Sequence, residues 1–117
     1  MKKSQNLNQE GYYINYWGDL QSGGTWSKRL WFSAYNCNNC GNLQQFCTKS
    51  DAIIPNVWFH LAIVKDNFDI KFYINGVDVT EASNGATFNY YNHPNTELLI
   101  GQNNNSQHLN GQINRIS

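Results

Sequence analysis

Three cysteines fall close together in the stretch NCNNCGNLQQFC, at positions 37, 40 and 47. A C-x-x-C-G knuckle with a third thiol behind it suggests either a zinc site or a redox pair. Zinc takes four nitrogen or sulfur ligands in a tetrahedron. Cys37, Cys40 and Cys47 give three, and the next candidate, His60, lies in an apolar run. A redox C-x-x-C opens a helix beside a βαβ unit, and no helical periodicity is present. The flanking runs 30–36 and 43–48 read as a hairpin with Phe32, Ala34 and Phe46 facing inward. Pairing Ala34 with Phe46 puts Cys37 opposite Leu43 and Cys47 opposite Ser33. Cys37 and Cys47 are then roughly 13 Å apart along the strands, whereas a disulfide needs Cα atoms within about 7 Å. The stretch is therefore expected to be a hairpin tip. Cys37 and Cys40 form a local pair there, reduced or closed in a small ring, and Cys47 is a strand side chain.

Other catalytic constellations are missing. Glycoside hydrolysis places two carboxylates across the scissile bond. Glu10, Glu81 and Glu97 are each isolated, and Asp66 and Asp69 sit in a turn signal, KDNFD. The chain lacks H-E-x-x-H, a phosphate-binding glycine loop and G-x-S-x-G, so catalysis is not expected. His60 reads as a structural histidine, while His93 and His108 fall in separate loops. No cofactor is implied. Calcium is the one metal left open, with Asp19, Asp78 and loop amides as its oxygen donors, although no clustered D-x-D pattern supports it.

Sugar recognition needs an aromatic plate for the C–H face of the ring and amides or carboxylates for its hydroxyls. The loops hold such material in three places: Trp17, Asp19 and Trp26; Tyr90, Tyr91, Asn92 and His93; and Asn103 with Asn104. These are the candidate ligand-binding residues. Trp31 and Trp58 are assigned to the core.

The elements that must position these residues are short strands. GYYINYW (11–17), KRLWFSAY (28–35), NLQQFCTK (42–49), VWFHLAIV (57–64), IKFYIN (70–75), VDVTEA (77–82) and TELLIGQ (96–102) are apolar or alternating runs separated by turn residues. VWFHLAIV is apolar on both faces, as in a central strand. Asn75-Gly76 signals a type I′ hairpin, which needs φ > 0 at both central positions. Many short strands with close turn signals indicate an antiparallel sandwich or barrel. The 117 residues fit one domain, with residues 1–10 as a flexible arm. Eight basic and eight acidic side chains give no net charge and no long-range field for phosphates, which disfavours nucleic acid. No apolar run is long enough for a membrane-spanning helix, and no apolar segment of a signal peptide follows Lys2 and Lys3.

WFHLAIVKDNFDIKFYINGVDV resembles the W-x-H-x-A … Y-x-N-G core of laminin G-like, concanavalin A-like jelly rolls. LLIGQ followed by LNGQINRI resembles that family's L-x-I-G and F-x-G-x-I-D-E-I ending, with Leu109 in place of Phe and Asn114-Arg115 in place of an acidic pair. INYWG and WSKRLWFSAYN resemble the two strands before the core. The resemblance implies an all-β, two-sheet antiparallel sandwich. It begins after the strands that open the family's fold and ends inside the last one, so an incomplete domain of a larger protein is expected. It also implies a non-catalytic recognition module, extracellular or surface-exposed, that binds a glycan, with a structural or adhesive module contacting a surface protein as the alternative.

Overall fold

The computed structural model describes residues 2–3, 11–17, 28–35, 43–81, 98–100, 109 and 111–117, with residues 2, 3, 17, 98 and 99 described by backbone alone. Eight strands follow one another: β1 (Lys2–Lys3), β2 (Tyr12–Trp17), β3 (Arg29–Tyr35), β4 (Leu43–Cys47), β5 (Leu61–Asp66), β6 (Asp69–Ile74), β7 (Val77–Asp78) and β8 (Leu98–Leu99). They form two antiparallel sheets, ordered β4-β3-β2-β1-β8 and β5-β6-β7. The chain is all-β, as the alternating runs imply. Lys2–Lys3, within the segment expected to be a flexible arm, lie between β2 and β8.

Period-two alternation builds the core. Leu30, Ala34 and Phe46 from the larger sheet pack with Ile70 and Phe72 from the smaller one, and Tyr12, Ile14, Phe32, Ile53, Leu61, Ile63 and Val79 close around them. The rings of Tyr12 and Phe32 stack at a centroid distance of 5.9 Å. Phe46 and Phe72 are fully buried, and each such side chain contributes about 1.5–3 kcal/mol of transfer free energy.

The β3–β4 register differs by two residues from the sequence expectation. Phe46 lies opposite Phe32, not Ala34, and Cys47 lies opposite Trp31, not Ser33. A two-residue slip keeps every side chain on its expected face, so alternation alone does not distinguish the registers. Hydrogen bonds just beyond β4 do. The Leu30 N–H donates to Thr48 Oγ1 at 3.1 Å, and the Thr48 N–H donates back to the Leu30 carbonyl at 3.0 Å.

Thr48 also begins the seam between the sheets. It forms an antiparallel bridge with Thr80, the Lys49 N–H donates to the Val79 carbonyl at 2.8 Å, and the Glu81 N–H donates to the Cys47 carbonyl at 3.0 Å. Arg29, buried, caps this seam. Its Nη1 donates to the Thr48 carbonyl at 2.9 Å, pairs with Glu81 Oε2 and approaches Cys47 Sγ at 3.8 Å. Thr80 Oγ1 meanwhile accepts the Phe72 N–H at 2.9 Å and ties the seam to β6.

VWFHLAIV departs from the central strand expected. Only Leu61–Asp66 is strand, and among the described residues it pairs with β6 alone. Val57 and Trp58 are exposed, Trp58 at 64%, so Trp58 does not belong to the core. His60 is likewise exposed, and its backbone makes the contacts: its N–H donates to Asn75 Oδ1 at 2.8 Å, and its carbonyl accepts the Asn75 N–H at 2.9 Å. The expected structural role for the imidazole is thus replaced by a backbone role. A strand with one described neighbour buries one face, which leaves the other set of apolar residues outside.

The Asn75-Gly76 turn is as expected, with φ of 49° and 83° and Ile74 facing Val77. A Cβ at Gly76 would meet nothing within 4 Å, so Gly76→Ala isolates the backbone cost of left-handed φ. Chemical denaturation of that variant should show a loss of about 1–2 kcal/mol. Glu81→Gln leaves the buried guanidinium without its counter-charge and should lower unfolding free energy by about 3 kcal/mol in urea titrations. Burial pushes the Cys47 thiol up, opposed by the bond from Arg29. The folded chain therefore holds this proton after the unfolded chain has released it. The contribution is full below the ordinary thiol range and declines as pH rises through and beyond it. In a Cys37→Ser, Cys40→Ser background, Cys47→Ala should flatten the alkaline limb of the stability–pH curve. Native Cys47 should react with a thiol reagent on the order of 100-fold more slowly than the unfolded chain, since it must await opening of the seam.

Candidate functional site

Each sheet has a face turned away from the core, and the two differ. On the larger sheet this face carries Tyr13, Asn15, Arg29, Trp31, Ser33, Tyr35, Gln45 and Cys47, by the register Tyr13↔Ser33↔Gln45 and Asn15↔Trp31↔Cys47. Its chemistry is polar and aromatic, and it is more deeply buried than the other: Trp31, Ser33 and Cys47 are buried, Tyr13, Asn15 and Tyr35 half-buried, and Gln45 exposed. Gln45 Nε2 donates to Ser33 Oγ at 3.4 Å. Burial raises the Tyr35 hydroxyl above the ordinary phenol range, with the neighbouring Tyr13 adding to the effect. Asn15 Oδ1 is buried without a hydrogen bond among the described residues.

On the smaller sheet the corresponding face is open. Leu61, Ile63, Phe72 and Val79 point into the core, so alternation turns Ala62, Val64 and Asp66 of β5, Asp69, Lys71 and Tyr73 of β6 and Asp78 of β7 outward. Every one of these is exposed or half-buried. The register sets Ala62, Tyr73 and Asp78 side by side in one row, Val64 beside Lys71 in the next, and Asp66 beside Asp69 at the end. Ala62, with a single methyl group, stands opposite Tyr73. Upstream of β5, Trp58 and His60 are exposed while Phe59 between them is half-buried. The indole and imidazole therefore extend the same alternation toward the Asn75-Gly76 turn.

Charge on this face is ordered. Asp78 Oδ1 accepts the Thr80 N–H at 2.9 Å. That bond, followed by the Thr80 side chain and the charges of Lys71 and Lys49, lowers the carboxyl below its ordinary range and against slight desolvation. Asp78 is thus an exposed carboxylate oriented by Thr80. Lys71 Nζ lies 3.8 Å from Asp66 Oδ2. Asp66 and Asp69 are cross-strand neighbours, yet both are exposed. A general acid of a glycosidase needs the apolar burial that raises a carboxyl pKa, and these two carboxylates lie in water.

Most of the loop residues picked out in the sequence fall outside the described residues: Asp19, Trp26, Tyr90, Tyr91, Asn92, His93, Asn103 and Asn104. Trp17 is described by its backbone alone, opposite Arg29 at the end of β2. Cys37 and Cys40 also lie outside. Among the described residues no group of three His, Cys, Asp or Glu side chains converges on a metal position. The outward Tyr73, Asp78 and Trp58 are not among the loop residues that the sequence offers for sugar binding; the alternation of IKFYIN puts Lys71 and Tyr73 on the non-core face, and VWFHLAIV, apolar on both faces, reads as interior.

A laminin G-like family model of the concanavalin A-like lectin/glucanases superfamily matches residues 2–117, nearly the whole chain. Neither the curated proteins nor the solved structures compared with the chain gave a match. Among the described residues no helix is long and apolar enough to cross a membrane.

Proposed function

We propose that this chain, which belongs to the laminin G-like group of the concanavalin A-like lectin/glucanases superfamily, is a non-catalytic recognition module that binds carbohydrate at a cell, matrix or particle surface. Domains of this group are typically extracellular and generally non-catalytic, although the superfamily includes glycosidases. One observation carries the reading. The outward face of β5–β6–β7, with Tyr73 beside Asp78, is preceded in the chain by an indole exposed at 64% and the exposed His60. An exposed aromatic ring next to hydrogen-bonding groups is what a sugar requires, since its C–H face stacks and its hydroxyls need directional partners.

The alternative reading is a structural or adhesive module that contacts protein without a sugar site. Ile54, Val57, Trp58 and Val77 are each more than half exposed, and exposed apolar side chains of this size also suit a protein partner. A glycan-array screen separates the two. Carbohydrate recognition predicts retention of at least one sugar class. It further predicts that Trp58→Ala weakens that binding roughly tenfold, the loss of one stacking contact, with an unchanged thermal midpoint because the ring is outside the core. An array on which no sugar class is retained moves the assignment to protein contact.

A further inference from the structure

The open face also specifies which sugars it can accept, an inference that rests on the carbohydrate-binding reading. We propose that the row Ala62–Tyr73–Asp78 is a binding site for neutral, hydroxyl-rich glycans, with Tyr73 as the stacking plate beside the small Ala62 side chain and Asp78 as the acceptor for sugar hydroxyls.

The three residues are direct cross-strand neighbours, Ala62 opposite Tyr73 and Tyr73 opposite Asp78. Directly opposed side chains in an antiparallel sheet stand with Cβ atoms about 4.5–5.5 Å apart, so the row is about 10 Å across, the scale of one or two pyranose rings. Ala62 carries only a methyl group, and Tyr73 opposite it is half-buried. The Asp78 carboxylate is already oriented by the Thr80 N–H at 2.9 Å. A pre-positioned acceptor loses less side-chain freedom on binding. A carboxylate accepts two hydroxyl protons at once, and charge-assisted bonds of this kind are about twice as strong as neutral ones.

The sign of the surrounding charge selects the class. Asp66, Asp69 and Asp78 lie on this face. Against them stand Lys71, whose ammonium is 3.8 Å from Asp66, and Lys49, which acts on Asp78 from the seam. A sialylated, uronic or sulfated sugar would bring its anion against a carboxylate excess in which the nearer lysine is already paired. Like charges in proximity disfavour that complex, whereas a neutral glycan meets no such opposition. Among the described residues of β5, β6 and β7 no guanidinium is present, and guanidinium is the group best shaped for carboxylate or sulfate.

The test uses the full chain against immobilised neutral glycans (gluco-, galacto-, manno- and xylo-configured) and their sialylated, uronate and sulfated counterparts, with and without calcium. Retention of a neutral class, with anionic counterparts weaker by roughly tenfold or more, is the expected result. Asp78→Asn keeps the turn acceptor and removes the charge. It should weaken neutral binding and narrow the gap to anionic sugars, an effect that a purely structural role would not produce. Ala62→Phe puts a bulky ring directly opposite Tyr73 and should abolish binding with the fold intact by circular dichroism. Tyr73→Ala should do the same, and the Ala62 variant answers the question should the Tyr73 variant fail to fold. Preference for anionic glycans, a strict calcium requirement, or neutral binding untouched by Ala62→Phe and Asp78→Asn would overturn the assignment of this face while leaving the carbohydrate reading in place. No binding to any sugar would remove that reading itself.

Discussion

The hydroxyl of Thr48 and the guanidinium of Arg29 hold the point on which the two sheets depend. Thr48 exchanges bonds with Leu30 of β3 and bridges to Thr80, and Arg29 binds the Thr48 carbonyl while pairing with Glu81. The core residues on either side, Phe46 and Phe72, gain their full burial only if the sheets meet at this height. Hydrophobic area drives the association without direction. The polar seam supplies direction, because a buried guanidinium and buried main-chain groups tolerate only the arrangement that satisfies them.

That constraint passes outward to the functional surface. The seam runs 47–49 against 79–81, and Val79 also donates its N–H to the Phe72 carbonyl at 2.9 Å. Asp78 stands one residue before this anchor and Thr80 one after it. Thr80 offers its hydroxyl to Phe72 on the inner side and its N–H to Asp78 on the outer side. One residue therefore couples the core to the carboxylate that faces solvent. The larger sheet has no such open counterpart, since its non-core face buries Trp31, Ser33 and Cys47. Among the described residues the outward face of the smaller sheet is the more exposed of the two.

The sequence discloses the strand set well. GYYINYW, KRLWFSAY, NLQQFCTK and IKFYIN each become a strand within a residue or two of expectation, and Asn75-Gly76 becomes the turn its backbone demands. Periodicity reports faces reliably, which is why Leu30, Ala34, Phe46, Ile70 and Phe72 are found where alternation puts them. It does not report neighbours. The pairing of Phe46 with Phe32 and the exposure of Trp58 both depend on which strand lies alongside, and a run such as VWFHLAIV has the same composition at an edge as at a centre. The candidate site suffers from the same gap. Tyr73 and Asp78 are separated in the chain by a turn and become a site only through the register of β6 with β7.

The amino-acid order by itself determined the all-β class, the inward and outward sides of the alternating runs KRLWFSAY and IKFYIN, the type I′ turn and the membership of the laminin G-like group, because each rests on local spacing or on motifs that the chain carries in order. Tertiary structure decided the register of β3 with β4, the single described neighbour of β5, the burial of Arg29 at the seam and the difference in exposure between the two outer faces. Those depend on contacts between strands and, at the seam, between Arg29 and Glu81, where the energy of a side chain is set by what packs against it and not by its own identity.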